Sequence, residues 1–185
     1  MGRRVGIDRE SVVIMAVELV EDGGLENLSL GSVARHLGIQ TPSLYHHVDG
    51  VGALRREVAL VAAGRLAAAL QSAHSGGATI TGLADAYRRF ALDHPGLYDA
   101  LLPAPAPADD PELASAMYVA VSIVSAALAQ SGLDSSTEAV RAFRSALHGF
   151  VMLERSGGFG LGGDLDDSFS KLVLVVVSGL EAEVG

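Results

Sequence analysis

Residues 29–47 read SLGSVARHLGIQTPSLYHH, and the fold follows from how this stretch punctuates itself. Ser29 can cap a short helix over Leu30–Leu37, because a serine hydroxyl accepts one of the N–H groups left unpaired at a helix start. Gly38 stops that helix, and Leu37-Gly38-Ile39-Gln40 forms a tight turn. Thr41-Pro42 opens the next helix, with a hydroxyl at the cap and a proline at the first helical position, where its missing N–H is no loss. This helix extends to about Val48, because Asp49-Gly50-Val51-Gly52 breaks it. Val33, Ala34, Leu37, Ile39 and Leu44 are spaced to pack the pair against a preceding helix. Thr41, Ser43, Tyr45, His46 and His47 then face outward as polar groups able to reach base edges or phosphates. That is the pattern of a helix-turn-helix, whose second helix enters the DNA major groove. Two short helices with a glycine turn also serve as plain scaffolding, and spacing alone leaves that alternative open.

Outward from this stretch nearly every segment has helical periodicity. Asp8 caps a first helix with Val12, Val13, Ala16, Leu19 and Val20 on its apolar side, stopped by Gly23-Gly24. A long Ala/Leu/Val/Arg segment, Ala53–Ala73, ends at Ser75-Gly76-Gly77. Ile80, Leu83, Tyr87 and Phe90 share a helical stripe that His94-Pro95-Gly96 ends. Leu102–Pro111, with four of the six prolines, is an irregular connection. Asp110-Pro111-Glu112 opens a helix with Met117, Val121, Val124 and Leu128 on one face. Ser135-x-x-Glu138 is a capping-box pattern ahead of Val140, Phe143, Leu147, Phe150 and Val151. Glycines 157, 158, 160, 162 and 163 separate that helix from a last one, about Asp166–Glu183. Leu172–Val177 is β-branched enough for a strand, but a lone strand would have no partner, so it reads as helix.

Composition narrows the function. The chain has 185 residues, 13 basic and 22 acidic side chains, a formal net charge of −9 and no cysteine. Absence of cysteine excludes disulfides, thiolate zinc sites, iron–sulfur clusters and a cysteine nucleophile. Residues 1–65 hold seven arginines against eight acids, net −1, whereas residues 66–185 hold six basic groups against fourteen acids, net −8. Only the first part can face a polyanion without strong repulsion. No uninterrupted apolar run, Leu172–Val177 included, comes near the ~20 residues that cross a bilayer. The N-terminus reaches Asp8 and Glu10 without the apolar core of a secretory signal. These features place the chain in the cytoplasm, away from membranes.

Other candidate motifs carry less. Gly158-Phe159-Gly160-Leu161-Gly162-Gly163 contains a literal GxGxxG, but a dinucleotide site needs a strand before it, and Asp164, Asp166 and Asp167 would repel phosphate. It reads as a turn. Arg88-Arg89 reads as a solvated face. No HExxH, no histidine pair at i, i+4 and no GxSxG is present, so no catalytic residue, metal or cofactor is expected. His148, on an apolar stripe, is either a ligand contact or a buried histidine satisfied by a neighbour. Tyr87, Phe90 and Tyr118 either line a pocket or form plain core.

The first ~60 residues resemble the TetR family of transcriptional repressors. The likeness rests on Leu19-Val20-Glu21-Asp22-Gly23-Gly24, Leu28-Ser29-Leu30, Val33-Ala34-Arg35-His36-Leu37-Gly38 and, above all, Pro42-Ser43-Leu44-Tyr45-His46-His47-Val48, with Leu54 at the start of the fourth helix. Ala86–Ala91, His94-Pro95-Gly96-Leu97-Tyr98 and His148-Gly149-Phe150 with Leu153-Glu154 resemble the C-terminal regulatory domain called WHG-type, over most of residues 80–175. The chain has no tryptophan, so that signature is incomplete.

The resemblance implies an all-α protein with a three-helix helix-turn-helix DNA-binding domain at residues 1–52. A helical effector-binding and dimerisation domain would fill residues 53–185. It implies a homodimeric regulator, in the family a repressor, that binds a double-stranded operator and is released by a small-molecule effector. DNA contacts fall on Ser29, Arg35, Thr41, Pro42, Ser43, Tyr45, His46 and His47, effector contacts on Tyr87, Phe90, Tyr118 and His148. The last two helices would pair across a two-fold axis through Phe143, Leu147, Phe150, Leu172 and Val176. Two departures stand out. Asp49-Gly50-Val51-Gly52 replaces a phosphate-binding lysine, and Gly31 replaces a long basic reader, losses that Arg3, Arg4, Arg35 or Arg55 can offset. The same departures keep a second possibility open, a helical ligand-binding or protein-interaction module without specific DNA binding. For a small helical enzyme the residues offer no catalytic constellation.

Overall fold

A computed structural model describes residues 7–102 and 109–181. Among the described residues there are nine α-helices and no strand, so the all-helical expectation holds. The chain divides into two compact units, residues 1–64 with 94–114 and residues 65–93 with 115–185.

In the first unit, α1 (Arg9–Gly23) starts where Asp8 accepts the Ser11 N–H at 2.8 Å, while the Asp8 N–H donates to Ser11 Oγ at 3.0 Å. Two otherwise unpaired groups are thereby satisfied. Hydrogen bonding from Ser11, its backbone N–H first, holds the Asp8 carboxyl below its ordinary range. Val12, Ala16, Val17 and Val20 form the buried stripe of α1. A 3₁₀ turn, Leu25–Asn27, leads to α2 (Leu30–Leu37) and α3 (Thr41–Leu44), and α4 spans Gly50–Ser75. That helix starts three residues before the expected Ala53. Gly50, with φ +90°, makes the entry, and Val51 and Gly52 lie inside the first turn. A division at 52/53 therefore falls within a helix.

His94-Pro95-Gly96, expected only to end a helix, also starts one. Pro95 takes the first position of α6 (Pro95–Ala100), which packs on α1. Contact is close enough that a Cβ on Gly96 would stand 2.2 Å from the Val20 carbonyl oxygen. His94 Nδ1 lies 2.7 Å from Glu21 Oε1, a second link from α6 to α1. An ion-pair chain completes this unit. Arg9 meets Glu57 at 2.6 Å, and Arg56 bridges Glu57, Asp110 and Glu112. Asp110 also accepts the Leu113 N–H at 3.0 Å, capping α7 (Pro111–Gln130). The Arg56 guanidinium, and then that N–H, hold the Asp110 carboxyl below its usual range.

The second unit is built from the later part of α4, α5 (Ile80–Asp93), most of α7, α8 (Thr137–Arg155) and α9 (Leu165–Glu181). The α8 cap is Ser136, not Ser135. Asp134 accepts the Ser136 N–H at 2.8 Å and turns the chain so that Ser136 Oγ receives the Ala139 N–H. Leu172–Val177 lies inside α9, whose expected end at Glu183 falls outside the described residues. On α7 the fully buried positions are Leu113, Ile123, Ala127 and Leu128, whereas Met117, Val121 and Val124 are half-buried. By length and composition alone α7 could cross a bilayer, a property it shares with core helices of soluble proteins. Serines interrupt this helix, so no long apolar run marks it in the sequence.

Two sequence expectations fail against this arrangement. Phe143, Leu147 and Phe150 are 1%, 3% and 7% exposed within the single chain, so they are core and not a docking face. Each such side chain contributes roughly 1.5–3 kcal/mol by leaving water, and the most apolar stripe therefore turns inward. Leu172 and Val176 are half-buried. The small and apolar residues left outside include Ala142, Ser145, Gly149 and Leu153 on α8, with Leu174 and Val175 on α9, and exposed Arg141 and Arg144 flank the α8 stripe. Arg88 is not a solvated arginine either, since its side chain is only 13% exposed and ion-paired to Glu154 and Asp166. Tyr118 is 66% exposed in the single chain.

Candidate nucleic-acid interface

The helix-turn-helix is built by local hydrogen bonding. Ser29 Oγ accepts the Ser32 N–H at 3.0 Å, and Ser32 Oγ accepts the Ser29 N–H at 3.0 Å, fixing the start of α2. At the other end Gly38 adopts φ +68° and ψ +29°, a left-handed conformation that only glycine takes without strain. The Ile39 N–H then reaches back to the Ala34 carbonyl at 3.0 Å, closing the turn. Pro42 sits in the first turn of α3.

The α-helical part of α3 is one turn, shorter than the expected run to Val48. Beyond Leu44 the chain keeps coiling through tighter bonds, Tyr45 N–H to Pro42, His46 N–H to Ser43 and His47 N–H to Leu44. Such i to i+3 bonding is common where a helix ends. Leu44 and Val48 are buried and anchor the segment from below. Pro42, Ser43, Tyr45 and His46 are exposed, Tyr45 at 60%, while Thr41 and His47 are half-buried. The result is a short polar rod seated on two apolar residues.

Ser29 lies at the edge of this surface, but its hydroxyl is already engaged by Ser32, as acceptor from the N–H and as donor to Oγ at 3.0 Å. Its observed role is the cap. Among the arginines offered as replacements for the missing lysine, Arg3 and Arg4 lie outside the described residues. Arg35 and Arg55 are exposed and have no ion-pair partner among the described residues. Arg9 and Arg56 are committed to carboxylates. This distinction between free and committed arginines is invisible in the sequence, because the partners of Arg56 lie 54 and 56 residues away. A Cβ on Gly31 would meet nothing closer than Ser29 Oγ at 4.0 Å, so that position faces open space.

The expected effector residues are distributed between helices. Tyr87, half-buried, and Phe90, buried, lie on α5, and half-buried His148 lies on α8, which packs against α5. Burial, and then the charges of Arg144 and Arg155, push the His148 imidazole below its ordinary value. The GxGxxG segment connects α8 to α9 through turns, with positive φ at Gly157, Gly160 and Gly163. Among the described residues no group of histidines and carboxylates is arranged to hold a metal.

Comparison with known proteins adds to this geometry. Residues 80–176 match the family model described as tetracyclin repressor-like, C-terminal domain, over the same stretch that resembles a regulatory domain in sequence. The chain is 36% identical to the uncharacterized HTH-type transcriptional regulator Rv0681 of Mycobacterium tuberculosis, covering 98% of this chain and 85% of that protein. It is 29% identical to the uncharacterized HTH-type transcriptional regulator YobS of Bacillus subtilis, covering 97% and 96%. The crystal structure of the TetR family transcriptional regulator PfmR from Thermus thermophilus superposes with a TM-score of 0.62 at 19% identity, covering 92% of this chain and 98% of that one, a likeness of fold. Both sequence relatives carry the name of transcriptional regulators. The helical architecture, the short exposed rod of α3 and these matches agree: the chain belongs to the TetR family of helix-turn-helix transcriptional regulators.

Proposed function

We propose that this protein is a homodimeric repressor that binds a palindromic operator through α3 and is released by a small-molecule effector. Residues 1–52 read DNA, and residues 53–185 bind the effector and pair the subunits. The observation that carries this proposal is the seating of α3, with Leu44 and Val48 buried beneath exposed Pro42, Ser43, Tyr45 and His46. Recognition helices of a dimer must stand about 34–36 Å apart to enter successive major grooves. An effector held near Tyr87, Phe90 and His148 would favour a conformer with other spacing. To take occupancy from nearly full to nearly empty, it must prefer that conformer by about 5.5 kcal/mol.

Pairing is assigned to the faces that the single chain leaves open. On α8, Ala142, Ser145 and Gly149 recur at i, i+3 and i+7, a stripe of small residues that lets helices approach closely, and Leu153 extends it at i+11. On α9, Leu174 and Val175 supply the apolar contact. Removing such side chains from water on association is the main driving force for pairing.

The test is a mobility-shift titration on DNA flanking the protein's own coding sequence. Thr41→Ala should change base preference at one position, worth about 1–3 kcal/mol, and Tyr45→Phe should weaken binding evenly across sequences. Full specific affinity in both variants would reject the placement of α3. No retarded complex with any flanking DNA would favour the module without specific DNA binding.

Phosphate contact is assigned to Arg35 and Arg55, exposed and without an ion-pair partner among the described residues. Substituting either by glutamine removes two phosphate contacts per dimer and should flatten the dependence of log K on log salt by about 1.8. Slopes unchanged in both variants would move that role elsewhere on the chain.

A further inference from the structure

The connection between α8 and α9 holds five glycines between residues 157 and 163, three of them at positive φ. Glycine backbone of this kind imposes little preference on how the flanking helices meet. Something else must set that relation, and the place to look is where α5 crosses both helix ends. Arg88 Nε and Nη2 grip the Glu154 carboxylate at 2.8 and 2.6 Å, at the end of α8. Its third nitrogen, Nη1, reaches Asp166 at 2.8 Å, in the first turn of α9. The guanidinium also lies over two rings, Phe150 of α8 at 5.7 Å and Phe169 of α9 at 4.9 Å from the centroids. Those rings meet edge-on at 5.1 Å, and Phe159 of the connection leans on Phe150 at 4.6 Å. One planar, always charged group thus engages a carboxylate and a ring from each helix, which a lysine ammonium could not do in the same geometry.

We propose that Arg88 is the positioning residue that holds α8 and α9 at the relative setting needed for pairing with a second copy of this chain. The role rests on the dimer proposed above. Arg88 engages Glu154, Asp166, Phe150 and Phe169, and it acts on the exposed stripe of Ala142, Ser145, Gly149, Leu153, Leu174 and Val175 through the helices that carry it. It also stands between Tyr87 and Phe90 on α5. A shift of α5 would therefore pull directly on the ends of both pairing helices.

The experiment separates positioning from simple core stability. Removing Arg88 alone would strand Glu154, whose side chain is 12% exposed. The informative variant is the double replacement Arg88→Met with Glu154→Met, because exchanging a buried ion pair for apolar side chains of similar size often preserves stability. Asp166→Asn is the second variant, since its side chain is 82% exposed and its loss leaves the core intact. Thermal unfolding and the dimer dissociation constant from sedimentation equilibrium are measured on the full chain. The double variant should keep its unfolding midpoint, measured at equal dimer fraction, while its dissociation constant rises about tenfold, the equivalent of about 1.4 kcal/mol. Asp166→Asn should raise it by about two- to fivefold, the span expected of a surface ion pair. Operator binding by the double variant should recover as subunit concentration is raised.

A dissociation constant unchanged in Asp166→Asn and in a folded double variant would overturn the role. A double variant that fails to fold, together with an unchanged constant in Asp166→Asn, would also overturn it and leave Arg88 as a requirement of the core. Wild-type protein that sediments as a monomer at every concentration would instead remove the dimer, and this role with it.

Discussion

Leu174→Asp should yield folded monomers whose operator affinity is at least about 100-fold below that of the parent, the gain that linking two binding events ordinarily supplies. Leu174 is 57% exposed in the single chain, and its neighbour Val175 is 58% exposed. A carboxylate there meets water in the monomer, so its folding cost should stay within about 0.5 kcal/mol. Across a two-fold axis the same substitution sets two carboxylates against apolar surface and against each other, a burial that neither can escape. Sedimentation velocity checks the mass, and circular dichroism checks that the helices remain. The contrast is Leu147→Asp. Leu147 is 3% exposed inside one chain, so an aspartate there should unfold the second unit before it reports on pairing. A Leu174→Asp protein that keeps dimer mass and full affinity would remove α9 from the interface.

Gly96→Ala should be the most damaging one-atom change in the first unit. Its new Cβ would stand 2.2 Å from the Val20 carbonyl oxygen and 2.9 Å from Val20 Cγ1. A backbone oxygen inside α1 cannot swing aside, so α6 must back away from α1. Forcing extra volume into close packing costs about 1–3 kcal/mol and occasionally more. For a chain of this size each kcal/mol lowers the melting temperature by about 2–4 °C. The matched control is Gly31→Ala, at an exposed site in the first turn of α2 with no contact nearer than 4.0 Å. Replacing a helical glycine in open space should raise stability by roughly 0.5–1 kcal/mol. Two glycines in one unit therefore respond with opposite sign. Equal melting temperatures for Gly96→Ala and the parent would mean that α6 does not sit against α1 as described.

What the sequence made legible was local. Asp8, Ser29 and Gly38 announce helix ends through bonds spanning three to five residues, and each end is found where its residues place it. Apolar periodicity likewise gives the buried sides of α1, α5 and α8. The start of α4 was less legible, because Gly50-Val51-Gly52 has poor helix propensity and only its surroundings make it helical. Ser135 and Ser136 compete for one cap, and the choice depends on an Asp134 bond whose geometry the spacing does not reveal.

The errors at the candidate sites have one origin. Hydrophobic strength marks positions that leave water, but not whether the same chain or a second copy covers them. Phe143, Leu147 and Phe150 read as a pairing face because of their strength, and that strength is what takes them inside. The face left open is weaker in composition, alanine, serine and glycine on α8 beside Leu174 and Val175 on α9. Charge behaves similarly. Arg88 and Arg89 are adjacent in sequence, yet one is held by Glu154 and Asp166, 66 and 78 residues away, and the other is exposed. Long-range partners decide which arginines are free for phosphate, and a linear reading of charge does not contain them.

Hydroxyl-radical footprinting of the purified protein on DNA flanking its own coding sequence addresses the outward rod over residues 41–47 most directly. Two protected patches should be centred about one helical turn, roughly 10–10.5 base pairs, or a small multiple of it apart. Thr41→Ala should alter which half-site sequences are protected. Uniform cleavage along the flanking DNA at every protein concentration, or a footprint indifferent to Thr41 and Tyr45 substitutions alike, would contradict DNA reading by this segment.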